Sequence, residues 1–154
     1  MPPRLPGLLA LMFVATPLSA EFLHVELSVG GLDCLSCAQS VDSRLKRIRG
    51  VDTASFRTKD SVAVVELKPG NTVPLDLIRD AVKGIGYTPG AAKVTARGQV
   101  RSESGKWLFH VAGPDAEYTL EVSTAQEITA GAALTVEGTI AGPGAPLQAT
   151  AILK

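Results

Sequence analysis

The sequence predicts an α+β protein in two parts, and three observations predict it. Between residues 23 and 94, segments of alternating apolar residues and segments of three-to-four periodicity follow one another in the order β-α-β-β-α-β. From about residue 93 onward only period-two segments occur, set off by Gly and Pro turns. The chain has 154 residues, room for one ordinary domain or two small ones. The first order is that of a split βαβ, or ferredoxin-like, unit over residues 21–95. The second part, 96–154, reads as three strands, a connector and two strands. That is the order of a small all-β, OB-like barrel, with a five-stranded open sandwich as the alternative.

Taken in order, Leu23, Val25, Leu27 and Val29 alternate with His24, Glu26 and Ser28, the mark of a strand with one buried face. Cys37/Ala38, Val41, Leu45 and Ile48 recur at helical spacing, and Gly50 stops the helix. Its outer face carries Arg44, Lys46, Arg47 and Arg49. Cations near a helix C-terminus suit the dipole, and a docking patch for a partner is the second reading. Val51 to Phe56 and Val62 to Leu67 form a hairpin through Thr58-Lys59-Asp60-Ser61. Pro74 stands in the first turn of a second helix, where its missing N–H costs nothing. Leu77 or Ile78, Ala81 or Val82, and Ile85 give that helix its apolar stripe, and Gly84 and Gly86 end it.

In the second part, Val94, Ala96, Gly98 and Val100 alternate with Thr95, Arg97, Gln99 and Arg101. Trp107, Phe109 and Val111 follow the Ser104-Gly105 turn, and Tyr118, Leu120 and Val122 follow Gly113-Pro114-Asp115. Ser123 to Gly131 is a helical turn or loop. Leu134 to Ile140 and Leu147 to Leu153 complete the set. No Ser-, Pro- or Gly-rich linker divides the parts, so they are expected to pack together, with the last strand of one running into the first strand of the other.

Basic and acidic residues balance at 15 each, so no global field draws the chain to nucleic acid or to an anionic membrane. No segment reaches the roughly 20 apolar residues of a membrane helix, so the chain is not expected to span one. Residues 1–20 have the pattern of an export signal. Arg4 lies in a weak basic region, Leu8 to Thr16 form a short apolar run, Pro17 breaks it, and Leu18-Ser19-Ala20 ends in a small residue before Glu21. An uncleaved anchor is the competing reading. A mature chain starting near Glu21 would be exported, in a bacterium to the periplasm, where paired thiols tend to close.

The stretch that carries chemistry is Gly30-Gly31-Leu32-Asp33-Cys34-Leu35-Ser36-Cys37, which holds both cysteines of the chain. It falls where the first strand hands over to the first helix. Gly relieves the turn, and Leu32 is positioned to plug into the core and fix the loop's path. The helix N-terminus then faces the sulfurs and favours thiolate. Two intervening residues bring both sulfurs to one side, close enough to share one metal ion, although CxxC by itself serves metal binding and redox chemistry alike.

Together, Gly31-Leu32-Asp33-Cys34-Leu35-Ser36-Cys37, Gly50-Val51 and Gly86-Tyr87 make residues 22 to about 95 resemble a heavy-metal-associated domain. Leu32 stands where that family carries Met. Copper chaperones, the periplasmic mercury-binding protein of mercury resistance systems and the N-terminal domains of metal-exporting ATPases share the domain. The resemblance implies that Cys34 and Cys37 ligate one heavy-metal ion: Cu(I), Hg(II), or Zn(II)/Cd(II). It implies a non-enzymatic carrier that exchanges its ion with a membrane metal transporter or ATPase. Tyr87 either shields the metal or packs on the core. Asp33 either caps the helix or adds a third, oxygen ligand of the kind divalent ions accept. The resemblance does not reach the C-terminal half.

The rival function is a thiol–disulfide oxidoreductase using the same cysteines. The compartment favours it, but the element order and the lack of a flanking Trp or Pro do not. Nucleic-acid binding by the barrel is disfavoured, because Trp107, Phe109 and Tyr118 alternate as a buried face does. His24 and His110 lie on outward faces of their strands and would be auxiliary ligands only if the two parts converge on the cysteines.

Overall fold

In the computed structural model, which describes residues 20–32, 34–123 and 127–153, the longest element is a strand of 16 residues, Thr88–Glu103. Numbered along the chain it is β4. Before it come β1 (Glu21–Gly30), α1 (Leu35–Lys46), β2 (Val51–Arg57), β3 (Val62–Leu67) and α2 (Leu75–Lys83). After it come β5 (Lys106–Val111), β6 (Ala116–Val122), β7 (Ala133–Ile140) and β8 (Leu147–Leu153). The βαββαβ order read from periodicity is the order found.

The strands of the first part lie side by side as β2-β3-β1-β4, all neighbours antiparallel. One face of this sheet is apolar, with Val25, Leu27 and Val29 of β1 beside Ala92 and Val94 of β4. Helix α1 covers it with Ala38, Val41 and Leu45, and α2 with Leu75, Ile78, Ala81 and Val82. Burying such side chains contributes roughly 1.5–3 kcal/mol for each large aliphatic, which is what holds short helices in place.

Past the sheet, β4 continues into a second set of pairings. Its residues Ala92–Gln99 pair with β7 and Gln99–Glu103 with β5. β5 pairs with β6, β7 pairs with β8, and β6 meets β8 in parallel over Leu120–Val122. The five strands therefore close as a ring, β4-β5-β6-β8-β7 and back to β4. Ala92, Val94, Ala96, Val100, Phe109, Val136, Ile140 and Leu147 are buried along these strands, and they join the residues under the helices in one apolar cluster. Thr95 and Ala96 each pair with β1 on one side and with β7 on the other.

Several local expectations change. Alternation in β1 breaks at a bulge between Phe22 and His24, so Phe22 is buried and Leu23 only half-buried. The bulge inserts one residue against β4, which flips the inward face upstream of it. Pro74 is the N-cap of α2 rather than part of its first turn. On that helix Ile78 faces the core, whereas Leu77 is 45 % exposed. Of the connector Ser123 to Gly131, residues 124–126 lie outside the described residues. The remainder contains no helix and ties back to β4, with Gly131 N–H donating to Val100 O at 2.7 Å. Phe109 is fully buried and Trp107 and Tyr118 pack against the core.

The start of β1 is locked to the loop before α2. Glu21 is 1 % exposed, and its carboxylate accepts the backbone N–H groups of Gly70 and Asn71. The Asn71 amide donates to Phe22 O and Lys68 O at 2.9 and 2.8 Å. Buried polar groups are tolerable only when satisfied in this way. No described helix is long and apolar enough to cross a membrane.

Candidate metal centre

Cys34 is the N-cap of α1, in extended backbone at φ −144° and ψ 150°. Its Sγ accepts the Cys37 N–H at 3.2 Å, the bond that a Ser or Asp oxygen makes at most helix starts. Gly31 turns the chain out of β1 at a φ of +85°, a conformation that side chains disfavour. Leu32 packs against the core, anchoring the loop from below. The strand-to-helix handover thus presents Cys34 at the surface and leaves Cys37 half-buried behind it. Asp33 lies outside the described residues.

Cys34 and Cys37 are joined as a disulfide, their Cα atoms 5.2 Å apart. Sulfurs that bond to each other in this backbone lie on one side of the turn. Opened to two thiolates, they offer a soft pair at the positive end of a helix. Among the described residues no group of three or more His, Cys, Asp or Glu side chains converges, so the two sulfurs stand without a third described ligand.

One groove has Cys34 in its wall, and a second lies along α1. The first, about 230 Å³, is lined by Leu32, Leu35, Phe56, Thr58 and Ser61. Leu35, between the cysteines, is 77 % exposed beside it. The second runs along α1 past Ser36, Gln39, Ser40 and Ser43 to Arg44, Arg47 and Ile85. Arg44 and Lys46 are exposed on the last turn of α1, Arg47 is its C-cap and Arg49 lies beyond it, since the helix ends before Ile48, earlier than its periodicity predicts. Tyr87 packs against the core, and its ring approaches Gly31, within 4.0 Å of where a side chain there would begin.

The histidines are elsewhere. His24 Nδ1 lies 2.6 Å from Glu66 Oε1, and its Nε2 lies 3.7 Å from Glu26, on the sheet face opposite the helices. Beside it, the Arg57 hydrogen bond to Glu26 at 2.8 Å holds that carboxyl below the ordinary glutamate range. His110 lines a small cavity of about 120 Å³ with Ala20, Arg97 and Gln99. Neither joins the cysteines in a metal-holding group.

One residue at the site escaped the sequence reading. Ser36 Oγ is 3.2 Å from Cys34 Sγ. It reads as a spacer in CxxC. The signal that could have found it is its place two residues after the cap, where a helix side chain leans back toward the N-terminus.

Residues 26–88, less than half of the chain, match the family model of the heavy-metal-associated domain. The chain is similar to Copper-transporting ATPase 2 of Homo sapiens, 33 % identical over 64 residues that make up 42 % of this chain and 4 % of that protein. It is also similar to Cation-transporting ATPase HMA5 of Oryza sativa subsp. japonica, 30 % identical over 74 residues, 48 % of this chain and 7 % of that one. The chain thus spans only a small fraction of these relatives. Among solved structures it is similar to the CopZ metallochaperone, with 27 % identity over 43 % of this chain and 97 % of that chain and a TM-score of 0.41. It is similar too to the N-terminal domain of a potential copper-translocating P-type ATPase from Bacillus subtilis, with 26 % identity over 44 % of this chain and 84 % of that chain and a TM-score of 0.41.

Proposed function

We propose that this protein binds one soft or borderline metal ion through Cys34 and Cys37 and passes it by ligand exchange to a membrane metal transporter or ATPase. The observation that carries this reading is the placement of both sulfurs at the exposed N-terminus of α1, inside the stretch that matches the heavy-metal-associated domain. Two thiolates satisfy Cu(I), and the copper named in one similar ATPase, Copper-transporting ATPase 2, supports that ion first. They under-coordinate Zn(II) or Cd(II), for which Asp33 is the candidate third ligand; Hg(II) is the remaining candidate.

Loading begins with opening of the disulfide. A dithiol donor supplies two electrons and two protons, and each sulfur then loses its proton as the ion binds. Cys34, exposed, receives the incoming ion and is the sulfur beside which an acceptor thiolate approaches. Cys37, half-buried, retains the ion while that exchange proceeds. Because the pair leaves coordination positions open, a third thiolate can enter before one of the first two departs.

The rest of the chain serves delivery in this reading. Residues 1–20 are an export signal, and the mature protein acts in the periplasm. Residues 21–95 supply the metal-binding domain, and the second part, read as 96–154, is an OB-type barrel that also takes in the β4 residues from Ala92 onward, a docking or stabilising module with no chemistry of its own. The closed disulfide favours a second reading, a thiol–disulfide oxidoreductase.

Competition titration of the reduced protein with Cu(I), Hg(II), Zn(II) and Cd(II) tests the proposal. One equivalent of at least one ion should bind tightly, with no turnover of dithiol or disulfide substrates. Absence of metal binding together with measurable disulfide exchange would replace it by the second reading. N-terminal sequencing of the exported protein checks the leader, with Glu21 or a near neighbour as the expected first residue.

A further inference from the structure

We infer that Ser36 is a positioning residue for the metal, holding the Cys34 sulfur by a hydrogen bond from its hydroxyl. This rests on the metal-binding reading of Cys34 and goes beyond the cysteine pair. Ser36 Oγ and Cys34 Sγ are 3.2 Å apart. Sγ carries no hydrogen when it is bonded to Cys37, and none as a thiolate or a metal-bound sulfur. In each of these states only the hydroxyl can donate, so the direction of the bond is fixed by chemistry.

The position explains why this serine is available. Serines inside helices usually donate back to the carbonyl four residues earlier, as Ser40 does to Ser36 O at 3.2 Å. Ser36 sits in the first turn, and no preceding helical turn exists to take its hydroxyl. The side chain leans toward the helix N-terminus and meets the N-cap sulfur instead. Ser40 in turn fixes the carbonyl of Ser36 and with it the course of that first turn.

Cys34 needs such a hold. It is exposed, and apart from the Cys37 N–H at 3.2 Å its sulfur has Ser36 as its hydrogen-bond donor among the described residues. Two donors converging on one sulfur confine its rotamer, so that it stays on the Cys37 side of the turn once the disulfide is open. They also draw charge from a metal-bound thiolate, and hydrogen bonds to an ionised acceptor are the stronger kind. Partners that orient a ligand in this way typically influence metal affinity tenfold to a hundredfold.

The test compares the reduced full-length protein with Ser36→Ala and Ser36→Thr. Cu(I) affinity is measured by competition with a chromophoric chelator, and the thiolate-to-metal charge-transfer band is recorded with Cd(II). Ser36→Ala should weaken Cu(I) by about tenfold. Its Cd(II) band should move to longer wavelength, because the sulfur lone pair that supplies the electron loses a stabilising proton. Ser36→Thr keeps a hydroxyl and should stay within about twofold of the parent, with the band in place. Parent-like affinity and band in Ser36→Ala overturn the inference. So does equal weakening in both variants with no movement of the band, which would make Ser36 a matter of helix packing. A parent protein that takes up none of Cu(I), Cd(II), Zn(II) and Hg(II) overturns the proposed function and this inference with it, whereas uptake of Cu(I) or Cd(II) by the parent separates the two.

Discussion

Arg79 of α2 donates through Nη2 to the carbonyl of Ile140 at the end of β7, 3.1 Å away, and both residues are buried. The bond joins the helical layer of the first part to the ring of the second. Arg79 is 2 % exposed, its Nε finds no partner among the described residues, and Asp76 lies 3.7 Å off at the surface. Arg79→Ala removes a charged donor and the packed stem together, and should destabilise the fold by about 2–3 kcal/mol. Arg79→Met keeps the stem and removes a partly unsatisfied charge, so it should cost about 1 kcal/mol or less. Urea unfolding of both variants checks the order; equal losses would mean that packing contributes little.

The cysteine pair carries the sharpest prediction about function. Cys34→Ser and Cys37→Ser should each weaken metal binding by orders of magnitude, since one thiolate cannot hold a two-coordinate ion. The fold should persist in both, because Val41, Leu45 and the sheet beneath hold α1 through buried apolar contacts that neither cysteine supplies. Chelator competition alongside circular dichroism separates these effects. Affinity unchanged in either variant would remove that sulfur from the site.

Asp33, proposed as a third ligand for divalent ions, gives a test that separates the ions. A carboxylate oxygen is a welcome third ligand for Zn(II) or Cd(II) and superfluous for Cu(I) held by two thiolates. Asp33→Ala should therefore weaken the divalent ions about tenfold and leave Cu(I) nearly unchanged. Isothermal titration with each ion reads the split. Equal loss for both kinds would make Asp33 a loop-shaping residue, and no loss would return the site to thiolates alone. The helix cap itself is the Cys34 sulfur.

The outer face of the sheet sets an acid limb to stability. Arg57 lowers the Glu26 carboxyl from its ordinary value of 4.5, chiefly through their hydrogen bond, and lowers Asp60 in the same way. A folded-state value below the unfolded one stabilises the fold above about pH 4.5, and the gain is lost as pH falls through the folded-state value. The melting temperature of Arg57→Ala should lie below that of the parent at pH 7, and the gap should close in acid. Thermal melts across pH 2–7 measure it. A gap that persists at the acid end would mean that Arg57 acts through its stem rather than its charge.

How much of this was readable from the residues depends on range. Local periodicity located β1, α1, β2, β3 and α2 because each buries one face against a single layer, and the alternation of Val25, Leu27 and Val29 survives folding intact. Phe22 escaped, because a bulge depends on the partner strand's register and leaves no mark in one strand's pattern. The CxxC placement was legible for the same local reason, a Gly turn followed by a helix. The Arg79–Ile140 bond was not, because it links residues 61 apart in sequence and an arginine in the middle of a helix reads as solvent-facing. The Ser36–Cys34 contact is local yet went unread, since motif spacing treats intervening residues as filler.

The seam in β4 decides where the chain can be divided. A cut placed between residues 95 and 96 would leave the ring without Ala92–Thr95, which pair with Gly138–Ile140 and Glu137 of β7. A fragment starting at Ala92 keeps every β4 residue that β5 and β7 use, Ala92 to Glu103, so the ring can close. It should give β-type circular dichroism and a cooperative melt, whereas a fragment starting at Ala96 should not, because the lost residues carry four of the eight pairs that join β4 to β7. Even the longer fragment should melt below the intact protein. Tyr118 loses the edge-on contact with Phe22, at 6.1 Å between ring centres, and Ile140 loses its donor Arg79. The first loss uncovers apolar surface at the ring's boundary with the sheet and the second takes a charged donor from a carbonyl; aromatic pairs of this geometry contribute about 0.5–1.5 kcal/mol beyond the area they bury. A disordered fragment from Ala92 would mean that β1 and α2 are needed to close the ring, and that the two parts fold as one unit.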